Sequence, residues 1–248
     1  MKYAIGIDFG TLSGRALLVD VKTGRELATA VKNYTHAVMD EYMPDGKTKL
    51  PPDWALQDPA DYLEVLKETV PAVLNKAGVS AEDVIGVSVD FTACTMLPIL
   101  SDGTPLCFLD EHKNVPHAYV KLWKHHAAQA QADRINELAR KEDPKRLARY
   151  GGKVSSEWMF AKALQLLEEA PDIYRRADKL IEAGDWIVMQ LTGLERRNAC
   201  AAGYKSMWHK AEGYPSNDFF KKLDPRFEHV VDEKLSRDIY PLGGKAGE

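Results

Sequence analysis

The sequence has 248 residues, with 33 Lys plus Arg against 37 Asp plus Glu and a formal net charge of -4. Hydrophobic residues at 45% and charged residues at 28% exclude a disordered, collagenous or coiled-coil protein. No apolar stretch nears the roughly 18 residues of a membrane span, the start "MKYAIGIDFG" lacks a secretion-signal core, and mild acidity argues against coating nucleic acid.

The first segment, "KYAIGIDFG", alternates Tyr3, Ile5, Ile7 and Phe9 against Ala4, Gly6, Asp8 and Gly10. One face is apolar and predicts a core-facing strand. The other is almost bare except for one carboxylate, so a ligand can approach the backbone there. "GRALLVDV" and "ELATAVKNY", reached through the turns at 10–13 and 22–25, complete an antiparallel meander. Residues 34–55 lack clear periodicity. A helix is predicted from the N-cap Asp58, with Pro59 in first position, to Gly78, with a kink at Pro71. "DVIGVSVD" reads as a buried strand and "TMLPILSDG" as a further strand ending in an Asp-Gly turn. This order predicts an α/β fold with a mixed sheet.

The remainder reads as mostly helical. One helix is predicted from Pro116 to a stop at Asp143-Pro144, a second over "SSEWMFAKALQLLEEA", and a third over "GDWIVMQLTG", opened by Asp185 and closed by Gly193. The end, "PLGGKAGE", is Gly-rich and reads as a connector, which suggests a chain cut from something longer. Cys94, Cys107 and Cys200 have neither paired nor metal-type spacing, so a reduced, cytoplasmic compartment is expected.

The chemistry concentrates at the first turn. Asp8 ends a strand, Gly10, Thr11 and Ser13 form a tight turn, and Arg15 opens the next strand. Backbone amides, hydroxyls and a guanidinium in that order suit an anion. A carboxylate cannot face a phosphate unaided, so Asp8 would hold Mg²⁺ through water. A plain hairpin with a capping Asp is the competing reading. The run Asp90, Thr92, Ala93, Cys94, Thr95 at another strand end is small and hydroxyl-bearing and suits a polyol; a turn-capping Asp90 competes. Trp123 and Lys124 offer an aromatic face and a cation to a sugar, against simple packing of Trp123. His125 and His126, adjacent on a predicted helix, point about 100° apart and argue against a shared metal. Lys205, among small residues in "CAAGYKSMW", reads as a pocket wall or a solvated cation. Arg196 and Arg197 read as surface charges. No cysteine has a neighbouring base that would support a thiolate nucleophile.

These residues carry a resemblance. "YAIGIDFGTLSGRALLVD" is similar to the first phosphate-binding hairpin of the FGGY carbohydrate kinases, whose fold is ribonuclease-H-like (actin-like ATPase) with additional helices. Within that family, "VDFTACTMLPILSDGTPL", "PHAYVKLWKHHAAQAQADRINELA", "GDWIVMQLTG" and "CAAGYKSMW" resemble the bacterial kinases of L-ribulose, and the likeness runs from end to end. Where many members carry Trp-x-Asp-x-Arg, this sequence has Trp123, His125 and Ala127, which leaves the sugar-side role of that turn open.

The resemblance implies ATP-dependent phosphorylation of L-ribulose at its 5-hydroxyl, in arabinose catabolism, with ATP and Mg²⁺ as cofactors. It implies a clamp of Asp8, Gly10, Thr11, Ser13 and Arg15 and a sugar wall of Asp90, Thr92, Ala93, Trp123, Lys124 and Lys205. Residues 1–240 would then be an N-terminal domain and 241–248 the start of a connector to a second one. That second domain would bring the general-base Asp and the adenosine pocket, so the isolated chain is expected to be inactive. A homodimer is compatible with this reading, and no nucleic acid or membrane is expected as a partner. Open alternatives are another pentulose or polyol kinase (xylulokinase-like), a two-metal nuclease using Asp8 and Asp90, and a sugar-binding module without catalysis.

Overall fold

A computed structural model describes residues 1–248. Strands β1 (Tyr3–Phe9), β2 (Ser13–Asp20) and β3 (Glu26–Asn33) open the chain, and β4 (Leu56–Gln57) precedes helix α1 (Pro59–Ala77). Strands β5 (Val84–Phe91), β6 (Met96–Ile99) and β7 (Val120–Lys121) follow, then helices α2 (Gln129–Glu142), α3 (Pro144–Arg149), α4 (Met159–Glu169) and α5 (Pro171–Arg176). Next are β8 (Lys179–Glu182), α6 (Ala183–Thr192), β9 (Arg197–Asn198) and α7 (Ala199–Lys205). Helices α8 (Asn217–Leu223) and α9 (Val230–Lys234) and strand β10 (Ile239–Tyr240) end the chain. Two compact units result, one of residues 1–38 and 57–92, the other of residues 39–56 and 93–248.

The first unit holds a four-stranded sheet in the order β3-β2-β1-β5. The meander β1-β2-β3 is antiparallel, while β1 and β5 run parallel. Ile5, Ile7, Phe9, Ala16 and Leu18 bury the apolar face anticipated from the alternation. Helix α1 packs across β2 and β3. Its start is capped by Asp58, which accepts from the Ala60 N–H at 2.9 Å. Its end turns on Gly78 at φ 63°, with the Val79 N–H bonded back to the Leu74 carbonyl. The helix runs unbroken through Pro71. Gly14 lets helix and sheet meet closely, since a Cβ there would lie 2.5 Å from Val65 Cγ1.

Strand β5 is not buried as the β-branched run suggested. Ile85 is 59% and Val87 52% exposed, because β5 is the edge of the sheet and α1 lies over β2 and β3. Apolar, β-branched composition marks a strand but not its place in the sheet. The "TMLPIL" strand is likewise not a further strand of this sheet. As β6 it sits in the second unit, in a sheet ordered β4-β7-β6-β8, antiparallel to β7 and β8. Its four residues are all buried, as suits an interior strand.

In the second unit the helix expected from Pro116 begins only at Gln129. Residues 116–118 form a 3₁₀ turn and 120–121 a strand. Backbone donors a helix would use internally go across the chain instead. Leu122 N–H donates to the Ala55 carbonyl, and the N–H groups of His126 and Ala127 both donate to the Asp53 carbonyl. Such tertiary pairing overrides local helix propensity. The helix assigned to "GDWIVMQLTG" starts at Ala183, so Asp185 lies inside its first turn rather than capping it. Asp185 Oδ1 accepts instead from Asn198, at its backbone N–H (3.1 Å) and at Nδ2 (2.7 Å). The unit's core is built from Ile135, Phe160, Leu164, Leu180, Phe220 and Phe227.

Candidate functional site

In the first unit, Asp8 and Asp90 are register partners on the neighbouring parallel strands β1 and β5. Such strands lie about 4.8 Å apart, so both carboxylates share the bare face, next to the register pair Gly6 and Ser88. Asp8 also faces Arg15 across β1 and β2, with Arg15 Nε 3.3 Å from Asp8 Oδ2. The Asp8 side chain is 46% exposed, open to a ligand from the solvent side. No group of three or more His, Cys, Asp or Glu side chains is placed to hold a metal ion.

The turn between β1 and β2 is held by residues that its own sequence does not announce. Gly10 N–H donates to the Ser13 carbonyl at 2.9 Å, and Tyr34 Oη donates to the Gly10 carbonyl at 3.0 Å. Gln57 Nε2 donates to the Thr11 carbonyl at 2.7 Å and is itself fixed by Tyr62 Oη at 2.6 Å. Thr92 N–H donates to the Phe9 carbonyl, which seats the end of β5 beside the same turn. Thus Asp8, Gly10, Thr11, Ser13, Arg15, Asp90 and Thr92 all belong to this unit. Gln57 and Tyr34 carry no sequence pattern that marks them, and Tyr62 is marked only as part of the apolar stripe of α1.

Ala93, Trp123, Lys124 and Lys205 belong to the second unit. Cys94, next to Ala93, takes φ 70°, a left-handed conformation rare for a residue with a side chain. Its N–H donates to Glu182 Oε2 at 2.9 Å, and its Sγ lies 3.9 Å from the Lys205 carbonyl. The turn carrying Ala93 is thereby joined to the C-terminal end of α7. Lys124 pairs with Asp40 at 3.7 Å, beside an open concavity of about 470 Å³ lined by Asp40, Asp53, Trp54, Ala55, Lys124 and His126. Trp123 is partly buried one residue before.

Beneath this wall lies Lys162, wholly buried in α4. Its Nζ donates to three carbonyls, Cys94 at 2.6 Å, Leu122 at 2.7 Å and Lys121 at 3.3 Å. An ammonium has three protons, so every donor is used, and the two chain segments of the wall are tied to one point. Burial pulls Lys162 below its usual range, partly offset by the nearby carboxyl groups of Glu182 and Glu157. Burial likewise pushes Glu182 up, and Asp185 up to about 6. Lys162 was not among the residues singled out by sequence; the only sign is a Lys within a mostly apolar helix.

His125 and His126 are not on a helix, and they have separate partners. His125 is buried, with Nδ1 accepting from the Ala55 N–H and Nε2 bonded to Gln165 Oε1 at 2.9 Å. His126 Nε2 bonds to Glu157 Oε1 at 3.1 Å. Arg197, read from sequence as a surface charge, is instead buried, with Nε on Glu195 and one guanidinium nitrogen on the Leu180 carbonyl. It closes the core beside β8, an environment that a double Arg does not reveal. Cys94 and Cys107 are buried, and burial raises the Cys94 thiol well above its usual range, which suits an inert thiol.

Solved structures share this fold. A xylulose kinase from Bifidobacterium adolescentis aligns over 96% of this chain and 47% of its own, at 12% identity and TM-score 0.70. A gluconate kinase from Lactobacillus acidophilus aligns over 96% of this chain and 42% of its own, at 17% identity and TM-score 0.69. At such identity they show fold alone, that of the ribonuclease-H-like, actin-like ATPase domain. The family is shown by the sequence: residues 3–210 match the N-terminal domain of the FGGY family of carbohydrate kinases, and the chain belongs to that family. Among its relatives are ribulokinases of Halalkalibacterium halodurans, 58% identical over 99% of this chain, and Mycolicibacterium smegmatis, 52% identical over 99%. A ribulokinase of Staphylococcus aureus is 37% identical over the whole chain. The chain spans 44% of the first two relatives and 45% of the third.

Proposed function

We propose that this chain is the N-terminal half of a kinase that transfers the γ-phosphoryl group of ATP to the 5-hydroxyl of L-ribulose, in L-arabinose catabolism in the cytoplasm. The observation that carries the reading is the 58% identity to ribulokinases across 99% of the chain. Likeness to xylulose kinases at 12% to 19% identity is one of fold and favours no second reading.

In this reading the β1–β2 turn holds the phosphates. Gly10 keeps the turn tight, since a Cβ there would lie 3.2 Å from the Ser13 carbonyl oxygen; Thr11 and Ser13 supply hydroxyls, and Arg15 supplies a delocalised cation. Mg²⁺ fits the donors present, since the half-exposed Asp8, with Asp90 beside it on the same face, suits an ion that keeps most of its waters. The ion's contribution, once bound, is to neutralise charge building on the transferring phosphoryl. Asp90, Thr92, Ala93, Trp123, Lys124 and Lys205 orient the pentulose, and Lys162 keeps the Cys94 turn and the Leu122 segment in place behind it. No residue here is assigned the general base. Residues 1–240 form the N-terminal domain and 241–248 begin the connector to a domain that brings the base and the adenosine pocket.

The test is coupled-assay ADP production with ATP, Mg²⁺ and L-ribulose, comparing this chain with the full-length protein that carries it. Turnover is expected only from the full-length protein, with L-ribulose preferred over D-xylulose and ribitol. A preference for D-xylulose, or full turnover by the chain alone, overturns the reading. A homodimer belongs to the same proposal and is read by sedimentation.

A further inference from the structure

Glu157 stands between two groups of the second unit that sequence reasoning treated separately. Its Oε2 lies 3.2 Å from Lys205 Nζ and its Oε1 3.1 Å from His126 Nε2. A carboxylate only accepts, so the His126 nitrogen facing it carries the proton, and in the neutral ring Nδ1 is left as an acceptor. One carboxylate therefore presents a donor, the Lys205 ammonium, and an acceptor, the His126 ring. Polyol hydroxyls need that pairing, because each both donates and accepts. His126 also lines the open concavity with Lys124 and Asp40.

The carboxylate is held from behind. Its own N–H donates to Ser155 Oγ at 3.2 Å, and the neighbouring Trp158 N–H donates to the Ser155 carbonyl. The Trp158 ring meets Tyr150 edge-on at 4.9 Å, and Tyr150 Oη donates to the Gly203 carbonyl of α7 at 3.0 Å. The helix that ends in Lys205 and the segment that carries Glu157 are thus linked a second time, through Tyr150. Lys205 is 16% and Glu157 22% exposed, so the pair is shielded yet reachable. Burial pushes the carboxyl up, but hydrogen bonds from His126 and Lys205 outweigh it and hold Glu157 below the usual range, hence ionised.

We propose that Glu157 is the positioning residue of the sugar wall, aligning the Lys205 ammonium and the His126 ring toward the pentulose hydroxyls. This rests on the L-ribulose kinase reading for its ligand, but not for the alignment itself. The experiment uses the full-length protein carrying this chain, with Glu157→Ala and the near-isosteric Glu157→Gln. Two quantities are read: the Michaelis constants for L-ribulose and for ATP, and the rate at which an amine-specific reagent labels Lys205, followed by peptide mass.

With Glu157→Ala the sugar KM is expected to rise about tenfold, or ~1.4 kcal/mol, with kcat and the ATP KM unmoved, as for loss of uniform sugar binding. Lys205 labelling is expected to accelerate, because the ammonium is no longer held. Glu157→Gln, which keeps one acceptor but loses the charge, falls between. If Glu157→Ala fails to fold, the Gln variant carries both readouts. Unchanged labelling overturns the proposal, as does a sugar KM that stays level while labelling accelerates. If the wild type does not phosphorylate L-ribulose, the functional reading falls, and unchanged or accelerated labelling still decides whether Glu157 aligns Lys205.

Discussion

In the first unit the edge strand β5 leaves Ile85 and Val87 in water, while in the second unit the charged side chains of Lys121 and Lys162 are wholly buried. Each placement runs against ordinary partitioning, by which apolar groups bury and lysines stay out. The two units resolve it differently. The second holds its buried lysines on polar and aromatic partners: Lys162 on three carbonyls, and Lys121 against His117 Nδ1 at 3.1 Å and over the Trp54 ring at 4.4 Å. The first leaves its edge uncovered. A row of unpaired strand groups beside exposed Ile and Val is a template for pairing. Buried charge here fixes geometry, whereas the exposed Ile85 and Val87 gain little from packing.

The sharpest way to break this contrast is to remove the buried cation. Lys162→Met fills the volume but leaves three carbonyls without their donor and Glu182 with only Arg197 as a nearby positive charge. Removing one partner of a buried charge network costs about 3–5 kcal/mol, to be read as a lowered midpoint in urea unfolding followed by circular dichroism. A loss below about 1 kcal/mol would mean that water replaces the ammonium and that Lys162 fixes nothing.

A second way uses pH. Burial raises Asp185 from 3.8 to about 6 in the folded chain, with attraction to Arg197 working against it. A carboxyl with a raised folded value contributes stability below its unfolded value and loses it as pH climbs through the folded one. Between pH 4 and 6 the wild type is therefore expected to lose up to ~3 kcal/mol relative to Asp185→Asn, at about 1.4 kcal/mol per unit. Denaturant midpoints of both proteins at pH 4, 5, 6 and 7 check this; parallel curves would show that Asp185 ionises freely when folded.

The units also differ in how far the sequence disclosed them. The first was legible because its signals are local: the alternation of Ile5, Ile7 and Phe9, the Asp58 cap, the Gly78 stop and the Asp8 turn each depend on a few neighbouring residues. Even so, composition alone did not place β5 at an edge. The second unit is held by long-range contacts. Lys162 reaches residues 68, 41 and 40 positions away, and Glu157 reaches Lys205 across 48. Within residues 116–128, which read as helix, Leu122, His126 and Ala127 give their N–H groups to the carbonyls of residues 53 and 55. For the candidate site, residue types on the strands were readable, whereas Gln57, Glu157 and Lys162, which hold the others in place, gave almost no sign.

The smallest expected effect concerns the open edge. Replacing Ile85 and Val87 by Thr keeps β-branched, strand-compatible side chains while removing apolar surface from water. Because both are more than half exposed, little burial is lost, and unfolding free energy is expected to stay within about 0.5 kcal/mol of the wild type. What should change is association: at high concentration the double variant of this chain should scatter less light and elute more as monomer, since a flat apolar edge is the feature that invites strand addition. A loss of 2 kcal/mol or more would instead show that Ile85 and Val87 are packed in solution. The contrast between exposed apolar residues on β5 and partnered, buried lysines in the second unit would then fail.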